Sequence, residues 1–314
     1  MSSGLPSFLR WLPVFGRLAR DNDKLRAEVA SLRAAQSDWA RFFPPGHFYS
    51  PLPSTAEVTE AFARGGFGPP FPAIDLNEAG QSARLERFRG LYAEQPFPEK
   101  ETPGRRFYLD NPSYGHYDAI MLYSMLREAR PRRIIEVGSG FSSAAMLDLN
   151  DTVLGGGLQL TFIDPDMRRL RQLLRPQDES RVTLIEKRVQ EVPLEIFAAL
   201  GENDVLFIDS SHVSKIGSDV NRLYFDVLPT LAPGVLIHIH DVAGNLEYPP
   251  EWFAEGRAWN EQYLLRAFLM NNRDYRIELF TGWLFNTRHA WFREHMPLCA
   301  RGGGGQIWLR KLAR

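Results

Sequence analysis

A glycine-rich turn and an acidic residue on the next strand are the first residues whose types and spacing could bind a ligand. The segment EVGSGFSS covers residues 136–143 and follows an apolar run. Gly138 and Gly140 let the backbone turn tightly and approach a ligand closely. Asp164, in FIDPD, ends the next apolar run, where a carboxylate can accept hydrogen bonds from both hydroxyls of a ribose. The third glycine of a dinucleotide site is missing, so the pattern favours an adenosine ligand; a strand-to-helix turn without a ligand is the alternative.

Two further apolar runs end in residues that could carry acid–base or metal chemistry. The first ends in Asp209-Ser210-Ser211-His212, and the second ends in His238-Ile239-His240-Asp241. The carboxyl ends of parallel strands meet at one edge of a sheet, so we expect Asp209 and Asp241 at the rim of one cleft. His238 lies deeper in its strand, where a structural hydrogen bond is the favoured role.

Two chemistries fit these strand ends. In the first, Asp209 and Asp241 bind a divalent cation such as Mg²⁺ through their carboxylate oxygens, together with His240 or His212. The cation would orient a hydroxyl group and lower its pKa. In the second, no metal is bound and His212 alone removes a proton as the general base.

An alternation of apolar β-type runs with helical patterns predicts the scaffold that positions these residues. The five runs are RRIIEV, LQLTFID, RVTLIE, DVLFID and GVLIHIHD, and helices begin near Ser142, Met167, Leu194 and Ser218. Strands that alternate with helices form right-handed crossovers and a parallel sheet. Two late runs, YRIELF and GQIWLRKL, predict a final antiparallel pair. The fold class is therefore a doubly wound α/β domain.

The chain before this domain is divided into two segments. Residues 1–44 predict a helix in which Leu18, Leu25 and Leu32 recur every seven residues, as in a short coiled coil or a helix packed on its own domain. Residues 45–104 are rich in proline and glycine and predict an irregular arm, with one helix near 79–94, that packs over residues 105–314. Its aromatic residues would be costly to leave in water; they are Phe43, Phe48, Tyr49, Phe67 and Phe71.

Composition excludes several classes of function. The 314 residues contain 37 Lys plus Arg and 38 Asp plus Glu, a formal net charge of -1, so a nucleic-acid partner is not expected. Cys299 is the single cysteine, which excludes an intrachain disulfide and fits a reducing compartment. Arg10, Pro13 and Arg17 interrupt the apolar start, so we expect no signal peptide, no transmembrane span and a cytoplasmic protein.

Several of these motifs together resemble a known family. EVGSGFSS and FIDPD look like the first two motifs of class I S-adenosylmethionine-dependent methyltransferases, and the resemblance continues through DVLFIDSSH, VLPTLAPGVLIHIHDV and GGGGQIWLRK. It covers residues 105–314 and is closest to bacterial enzymes with these fourth and fifth strand ends. The resemblance implies a Rossmann-like sheet of seven strands whose last strand is antiparallel, with S-adenosyl-L-methionine as the cofactor.

The resemblance also implies roles for individual residues. The methionine end of the cofactor would be cradled by the turn residues Glu136, Gly138, Ser139, Gly140 and Ser142. Asp164 would hold the ribose, with Pro165 beside it, and Val189 and Gln190 would meet the adenine, although Lys187-Arg188-Val189-Gln190 replaces the family's usual Gly-Asp-Ala-like turn. Asp209 is a further candidate for cofactor binding.

Small catechol-type O-methyltransferases are similar at the strand ends. They have an acid after strand four, a catalytic lysine three residues later, and an acid followed by asparagine after strand five. Asp209 and Asp241 match the two acids and His212 takes the place of the lysine, whereas Val242 replaces the asparagine and removes one metal ligand. This resemblance favours the metal and the catalytic set His212, Asp209, His240 and Asp241.

Two flanking segments are candidates for the acceptor pocket. NPSYGHYDA, with Tyr114, His116 and Asp118, could cover the methionine end. EYPPEWFAEGRAWNEQYLL brings aromatic residues and carboxylates that suit sugars or aromatic alcohols: Tyr248, Trp252, Trp259, Asn260, Glu261 and Tyr263. A lid that packs on the core is the other interpretation of the second segment.

The leading hypothesis is methyl transfer from S-adenosylmethionine to an oxygen of a small molecule or saccharide. Two alternatives stand beside it: a metal-dependent hydroxylase or other non-methylating enzyme on the same fold, and a non-enzymatic oligomeric binding protein. The N-terminal helix predicts a homodimer.

Overall fold

The computed structural model describes residues 21–32, 43–65 and 67–313, and the chain forms two compact units that meet after Gly65. In the first unit, residues 21–32 form helix α1 and Thr55–Arg64 form helix α2. Helix α2 was not predicted from the sequence, although Ser54 and Glu57 form a capping box at its start that signals a helix. Leu25, Val29 and Leu32 are exposed on α1, whereas Leu18 lies outside the described residues.

The second unit contains one sheet of seven strands in the order β3-β2-β1-β4-β5-β7-β6. The strands are β1 (Arg133–Val137), β2 (Gln159–Ile163), β3 (Val182–Ile185), β4 (Val205–Ile208), β5 (Leu236–Ile239), β6 (Tyr275–Phe280) and β7 (Ile307–Lys311). The first five pair in parallel, and β7 runs antiparallel between β5 and β6. The predicted doubly wound sheet with an antiparallel last strand is confirmed.

Helices cover both faces of this sheet in the order that the alternating pattern predicts. They are α3 (Glu78–Leu91), α4 (His116–Ala129), α5 (Phe141–Thr152), α6 (Arg168–Leu173), α7 (Leu194–Ala198), α8 (Asp219–Asn221), α9 (Leu228–Thr230), α10 (Pro250–Ala254), α11 (Glu261–Leu269) and α12 (Thr281–His295). A π-helical segment, Arg222–Val227, joins α8 to α9, and short 3₁₀ turns occupy Tyr92–Glu94, Val189–Glu191 and Pro297–Arg301. Strands β4 and β5 are buried at every residue, as expected for strands covered on both faces.

The order of the strands determines where a ligand can bind. The chain leaves β1 toward β2 and β3, and then returns to place β4 on the other side of β1. The helices that follow β1 and β4 therefore lie on opposite faces, which opens a crevice at the carboxyl ends of these two strands. The glycine turn follows β1 and the Asp209 motif follows β4, so the two predicted motifs meet at this crevice.

The aromatic side chains of the arm, residues 45–104, differ in their exposure along its length. Phe71 and Phe88 are buried in the core of the second unit, but Phe48 and Tyr49, in the first unit, are 80% and 68% exposed. Within their own segment, Phe48 stacks on His47 and Tyr49 packs against both rings at tilted angles. That the arm packs over residues 105–314 stays a prediction. Residues 67–104 belong to the unit that contains the sheet, and the three-part division at residues 44 and 104 stays a prediction.

Among the described helices, each is too short or too polar to cross a bilayer.

Candidate active site

A cleft of 540 Å³ lies at the carboxyl ends of β1, β2, β4 and β5, within the size range of small-molecule sites. Its lining includes Gly138, Ser139, Gly140, Ser142, Asp164, Asp209, His212, His240 and Asp241. All four residues that were predicted to be catalytic therefore share one cavity with six of the ten predicted cofactor residues, since Asp209 belongs to both sets. The remaining cofactor candidates, Glu136, Pro165, Val189 and Gln190, do not line it.

The turn after β1 depends on glycine at its first position. Gly138 adopts a φ of +87°, and a Cβ atom there would lie 1.8 Å from the carbonyl oxygen of Asp209. The backbone of the turn thus passes against the end of β4 with no room for a side chain. At Gly140, a Cβ atom would lie 3.1 Å from Cδ of Arg169, whose side chain covers the turn.

Glu136 supports the turn from below. Its side chain is fully buried, and its two carboxylate oxygens accept hydrogen bonds from the hydroxyls of Ser142 and Ser143 in the first turn of α5. Burial raises the pKa of Glu136 to about 8, although the two hydroxyls lower it. Glu136 therefore joins β1 to α5, and its direct contact with a cofactor stays a prediction.

Asp164 is fixed at the mouth of the cleft. One carboxylate oxygen, Oδ2, accepts hydrogen bonds from the backbone N–H of Ser139 at 2.8 Å and from the Ser139 hydroxyl at 3.0 Å. The other, Oδ1, accepts from the backbone N–H of Asp166 at 2.8 Å. An ionised carboxylate has about four lone-pair sites, so these three contacts leave one site, on Oδ1, for a ribose hydroxyl. A second ribose hydroxyl would take the place of the Ser139 hydroxyl on Oδ2.

The predicted adenine residues lie elsewhere. Val189 is buried in the 3₁₀ turn after β3, and the side-chain amide of Gln190 donates to the carbonyl oxygen of Gly217 at 2.7 Å. The structure does not bring either into the cleft, and their role stays a prediction.

The ends of β4 and β5 form a cluster of charged groups. Ligand atoms of Asp209, His240 and Asp241 all lie within 4.8 Å of one another. The Nδ1 atom of His240 is 3.5 Å from a carboxylate oxygen of Asp209 and 3.5 Å from one of Asp241. Burial disfavours the charged form of His240, yet the carboxylates of Asp209 and Asp241 raise its pKa well above the usual value.

The imidazole of His212 lies against the same two carboxylates and links them to Glu261. Its Nε2 atom lies 3.4 Å from Asp209 and 3.3 Å from Asp241, and its Nδ1 atom lies 2.9 Å from Glu261 at the start of α11. Burial would lower the pKa of His212, but the hydrogen bonds to Asp209 and Glu261 and the nearby charges raise it to about 10. Burial likewise opposes ionisation of Asp209, and the charges of His240 and His212 lower its pKa below the usual range. At neutral pH the cluster therefore holds the protonated imidazoles of His212 and His240 beside the ionised carboxylate of Asp209.

Two residues of the cluster adopt an unusual backbone conformation. His212 has a φ of +59° and Asp241 has a φ of +55°, in the left-handed region that residues with a Cβ atom rarely adopt. Such conformations cost roughly 1–3 kcal/mol each and persist where surrounding contacts impose them. The side chain of Asp241 thereby turns to the same side as those of Asp209 and His240, whereas regular alternation along the strand would point it away.

Donor chemistry in the cluster fits a divalent cation. Two carboxylates and one imidazole are ligands that divalent ions accept. Both ring nitrogens of His240 are buried and make no hydrogen bond within the described residues. Val242 stands where the catechol-type enzymes have an asparagine ligand, and its side chain is buried and apolar. The described cluster therefore offers three candidate ligands for a cation.

Aromatic residues from the segment after β5 form one wall of the cleft. Trp259 packs 4.4 Å from the ring of His212, and Arg257 lies beside it; both residues line the cavity. Tyr248 and Trp252 pack behind Trp259, and Asn260 donates from its backbone N–H to the carbonyl oxygen of His212 at 3.0 Å. The segment thus acts both as a packed lid and as a wall of the cavity.

The loop before α4 supplies the opposite wall. Tyr114 lines the cleft, with its ring 5.2 Å from that of His240. Asp118, in the first turn of α4, lies with its Oδ2 atom 3.7 Å from Nε2 of His240. His116 points toward Glu99 at 3.9 Å and does not reach the cavity. His238 is also outside the cavity, fully buried and stacked on Phe207 with ring centroids 3.7 Å apart.

Some residues of the cleft were not predicted from the sequence. These are Pro112, Ser113, Phe141, Arg169, Ser210 and Arg257. Ser210 stands inside the Asp209–His212 motif and could have been included. Nothing in a single sequence distinguishes Arg169 and Arg257 from the other arginines, since their position depends on how two segments pack.

Comparisons with known proteins find similar sequences. A family model described as "Methyltransferase domain" matches residues 135–242, which run from β1 past the end of β5. An uncharacterized protein from Archaeoglobus fulgidus is 35% identical over 173 residues, which cover 52% of this chain and 76% of that protein.

Solved structures of methyltransferases are also similar. A structure titled "cmcI-D160 Mg-SAM" is 21% identical with a TM-score of 0.39, covering 71% of this chain and 84% of the other. The O-methyltransferase TomG from Streptomyces achromogenes, in complex with SAM, is 14% identical with a TM-score of 0.39, covering 76% and 92% of the two chains.

Proposed function

The chain belongs to the class I S-adenosylmethionine-dependent methyltransferases, and we propose that it transfers the methyl group of this cofactor to an oxygen of a small molecule or saccharide. One observation carries the proposal. The cofactor motifs, Gly138–Gly140 and Asp164, line the same cleft as the charged cluster of Asp209, His212, His240 and Asp241. A donor and an acceptor can therefore lie next to each other in one cavity.

In this proposal, the turn residues receive the cofactor. Gly138, Ser139 and Gly140 pass close to its methionine end, and Asp164 accepts hydrogen bonds from the ribose hydroxyls. The N-terminus of α5 points its free N–H groups at the methionine carboxylate, which helix ends favour. The sulfonium is intrinsically reactive, so the enzyme's main tasks are to align the two reactants and to remove a proton from the acceptor.

We propose that Asp209, His240 and Asp241 hold a divalent cation such as Mg²⁺, which would bind with release of the proton that His240 carries in the free cluster. When bound, the cation would supply Lewis-acid chemistry that lowers the pKa of an acceptor hydroxyl. The support is the donor set described above and the absence of hydrogen bonds to both buried nitrogens of His240 within the described residues.

His212 takes the acceptor's proton in this proposal, and Glu261 orients its ring. The free cluster keeps His212 protonated because Asp209, Glu261 and Asp241 raise its pKa to about 10. Neutralising the charges of Asp209 and Asp241 would remove two of these causes. His212 would then lose its proton more easily and could act as the base.

An experiment with a labelled cofactor tests the oxygen specificity. We expect the protein, incubated with deuteromethyl S-adenosylmethionine and a panel of hydroxylated aromatic and sugar acceptors, to form deuteromethyl ethers together with S-adenosylhomocysteine. The variant Asp209→Asn should form at least about 100-fold less, because it removes a ligand of the cation whose Lewis-acid effect is worth several kcal/mol. Label that appears on nitrogen or carbon instead would contradict O-methylation.

We also propose that the protein is a homodimer joined through the N-terminal helix. Leu25, Val29 and Leu32 recur at coiled-coil spacing on α1 and are 60%, 43% and 63% exposed in the single chain. Deleting residues 1–40, or changing Leu25 and Leu32 to Glu, should shift the mass in light scattering to that of a monomer. Ala27→Glu, outside the seam, should not. An unchanged mass in the first two variants would exclude this interface.

The remaining proposals concern location and partners. The single cysteine, Cys299, is buried and unpaired, which supports a reducing compartment such as the cytoplasm. The balanced charge supports a small-molecule acceptor and not a nucleic acid.

A further inference from the structure

The aromatic wall of the cleft holds a cation that the methyl-transfer chemistry does not use. Arg257 follows α10 and lines the cavity together with Trp259. Its guanidinium carbon lies 4.8 Å from the ring centroid of Trp252 and 4.8 Å from that of Trp259. The two rings are nearly perpendicular, with an interplanar angle of 76°, and they enclose the guanidinium on two sides.

This arrangement fixes the guanidinium and leaves most of its donors available. A guanidinium has five N–H donors in a rigid plane, and contact with aromatic rings holds that plane by cation–π attraction. Within the described part of the chain, its ion-pair partner is Glu255, at 2.8 Å from one terminal nitrogen. The Glu255 side chain is 54% exposed, and such surface ion pairs contribute little. An incoming carboxylate can therefore replace Glu255 or bind beside it.

The position of the Arg257 guanidinium is distinctive among the charged side chains that line the cleft. Asp209 and Asp241 lie against the imidazoles of His212 and His240, and together with Asp164 they bring three carboxylates to the lining. Two guanidinium groups oppose them among the described lining residues, those of Arg169 and Arg257. Arg169 covers Gly140 on the cofactor side, whereas Arg257 lies beside Trp259, next to His212 on the acceptor side.

We propose that Arg257 is a specificity-determining residue that binds a carboxylate of the acceptor, so that the substrates of this enzyme are hydroxylated carboxylic acids. The inference rests on the proposed function, because it places the acceptor beside His212. The planar fork of Arg257 matches a carboxylate in a bidentate manner, while Trp259 offers a face for the apolar part of the same molecule. Phenyl phosphate distinguishes a carboxylate from a phosphate as the bound group, since the fork of Arg257 can pair with either.

Calorimetry with simple probes tests this assignment without knowledge of the natural substrate. The full chain is saturated with S-adenosylhomocysteine and titrated with benzoate, benzamide and phenyl phosphate. We expect benzoate to bind at least about ten-fold more tightly than benzamide, the ratio that one charge-assisted hydrogen-bonded pair provides. Equal affinities, no detectable binding of benzoate, or tighter binding of phenyl phosphate would overturn the proposal.

Variants then assign the preference to one arginine. Arg257→Gln should abolish the difference between benzoate and benzamide, and Arg169→Gln, which removes the other guanidinium of the cleft, should keep it. Arg257→Lys retains a charge beside the two tryptophans but not the fork, so it should keep a preference that is reduced about three-fold. If Arg257→Gln does not fold, the reduced preference in Arg257→Lys is the result that tests the role of Arg257, and an unreduced preference there would overturn it. A preference that survives in both Arg257 variants, or that is lost in Arg169→Gln alone, would overturn the assignment.

The titration with S-adenosylhomocysteine separates this proposal from the one on which it rests. If S-adenosylhomocysteine fails to bind to the unaltered chain, the proposed function fails. If it binds and benzoate shows no preference over benzamide, only the role of Arg257 is lost.

Discussion

The two sides of the cleft are built in different ways. The cofactor side consists of one continuous turn, residues 138–142, with the neighbouring Asp164, and its polar groups are engaged by nearby backbone and serine groups. The acceptor side combines three distant segments: the end of β4, the end of β5, and residues 257–261. His212 and Asp241 on this side adopt left-handed backbone conformations, and the imidazole of His212 pairs with the carboxylates of Asp209 and Asp241. The first side is determined locally by backbone geometry, and the second by tertiary packing and charge.

The largest effect should come from removing the glycine that shapes the cofactor side. Gly138→Ala places a Cβ atom where the carbonyl oxygen of Asp209 now lies and disfavours the left-handed φ. The turn must move, so the affinity for S-adenosylhomocysteine should fall at least about 100-fold, through loss of two or more hydrogen bonds to a charged ligand. Calorimetry measures this change.

Gly157→Ala is the matched control for that variant. Gly157 has open space around the position of a Cβ atom and no positive φ, so its affinity for S-adenosylhomocysteine should be unchanged. If Gly138→Ala also binds normally, the turn does not contact the cofactor.

The acceptor side is tested next by removing one proposed metal ligand. Asp241→Asn should weaken Mn²⁺ binding, followed by electron paramagnetic resonance, at least about 10-fold. Its affinity for S-adenosylhomocysteine should change little, because Asp241 lies on the other side of the cleft from the turn. Asp226→Asn, an exposed carboxylate paired with Arg222, should leave Mn²⁺ binding unchanged. Equal Mn²⁺ affinities in both variants would remove the cation from this cluster.

The smallest effect is on the free energy of unfolding, in which Glu136 of the cofactor side and His212 of the acceptor side act over different pH ranges. The folded-state pKa values of Glu136 and His212 are both raised, to about 8 and about 10, so the folded protein binds more protons than the unfolded chain. Stability from Glu136 is complete below pH 4.5 and is lost as pH rises through 8; stability from His212 is complete below pH 6.5 and is lost as pH rises through 10. Each group can contribute a slope of up to about 1.4 kcal/mol per pH unit within its window.

Urea denaturation at a series of pH values measures this difference. Glu136→Gln should flatten part of the decline between pH 4.5 and 6.5, where His212 does not titrate, while Glu261, whose pKa is also raised, keeps the rest. His212→Gln should flatten part of the decline above pH 8, while His240, whose pKa is also raised, keeps the rest. Identical profiles for the wild type and both variants would show that neither burial nor the cluster controls these groups.

The same contrast explains what the sequence could predict. The periodicity of apolar residues predicted the sheet correctly, because buried parallel strands require continuous apolar runs. The turn at Gly138 and the acid at Asp164 could be found because glycine spacing and strand ends are local features. Helix α2 could also have been found from its capping box, since Ser54 and Glu57 are three residues apart.

Other features depend on packing that one sequence does not encode locally. Arg257 is one of many arginines in the chain, and only the approach of Trp252 and Trp259 gives it a special position. Glu136 was expected to contact the cofactor, yet the two serines of α5 engage its carboxylate. Asp241 was expected at the rim of the cleft, and it lies there beyond the end of β5; its positive φ, which brings its carboxylate to 3.5 Å from His240, could not be predicted from the sequence.

The most direct test of the account is a calorimetric titration of the full-length protein with S-adenosylhomocysteine, beside the variant Asp164→Ala. We predict one binding site per chain in the unaltered protein and an affinity at least about ten-fold lower in the variant, through loss of the hydrogen bonds to the ribose. No binding to the unaltered protein, or equal binding to both, would contradict the claim that the Gly138–Gly140 turn and Asp164 form the site of the cofactor.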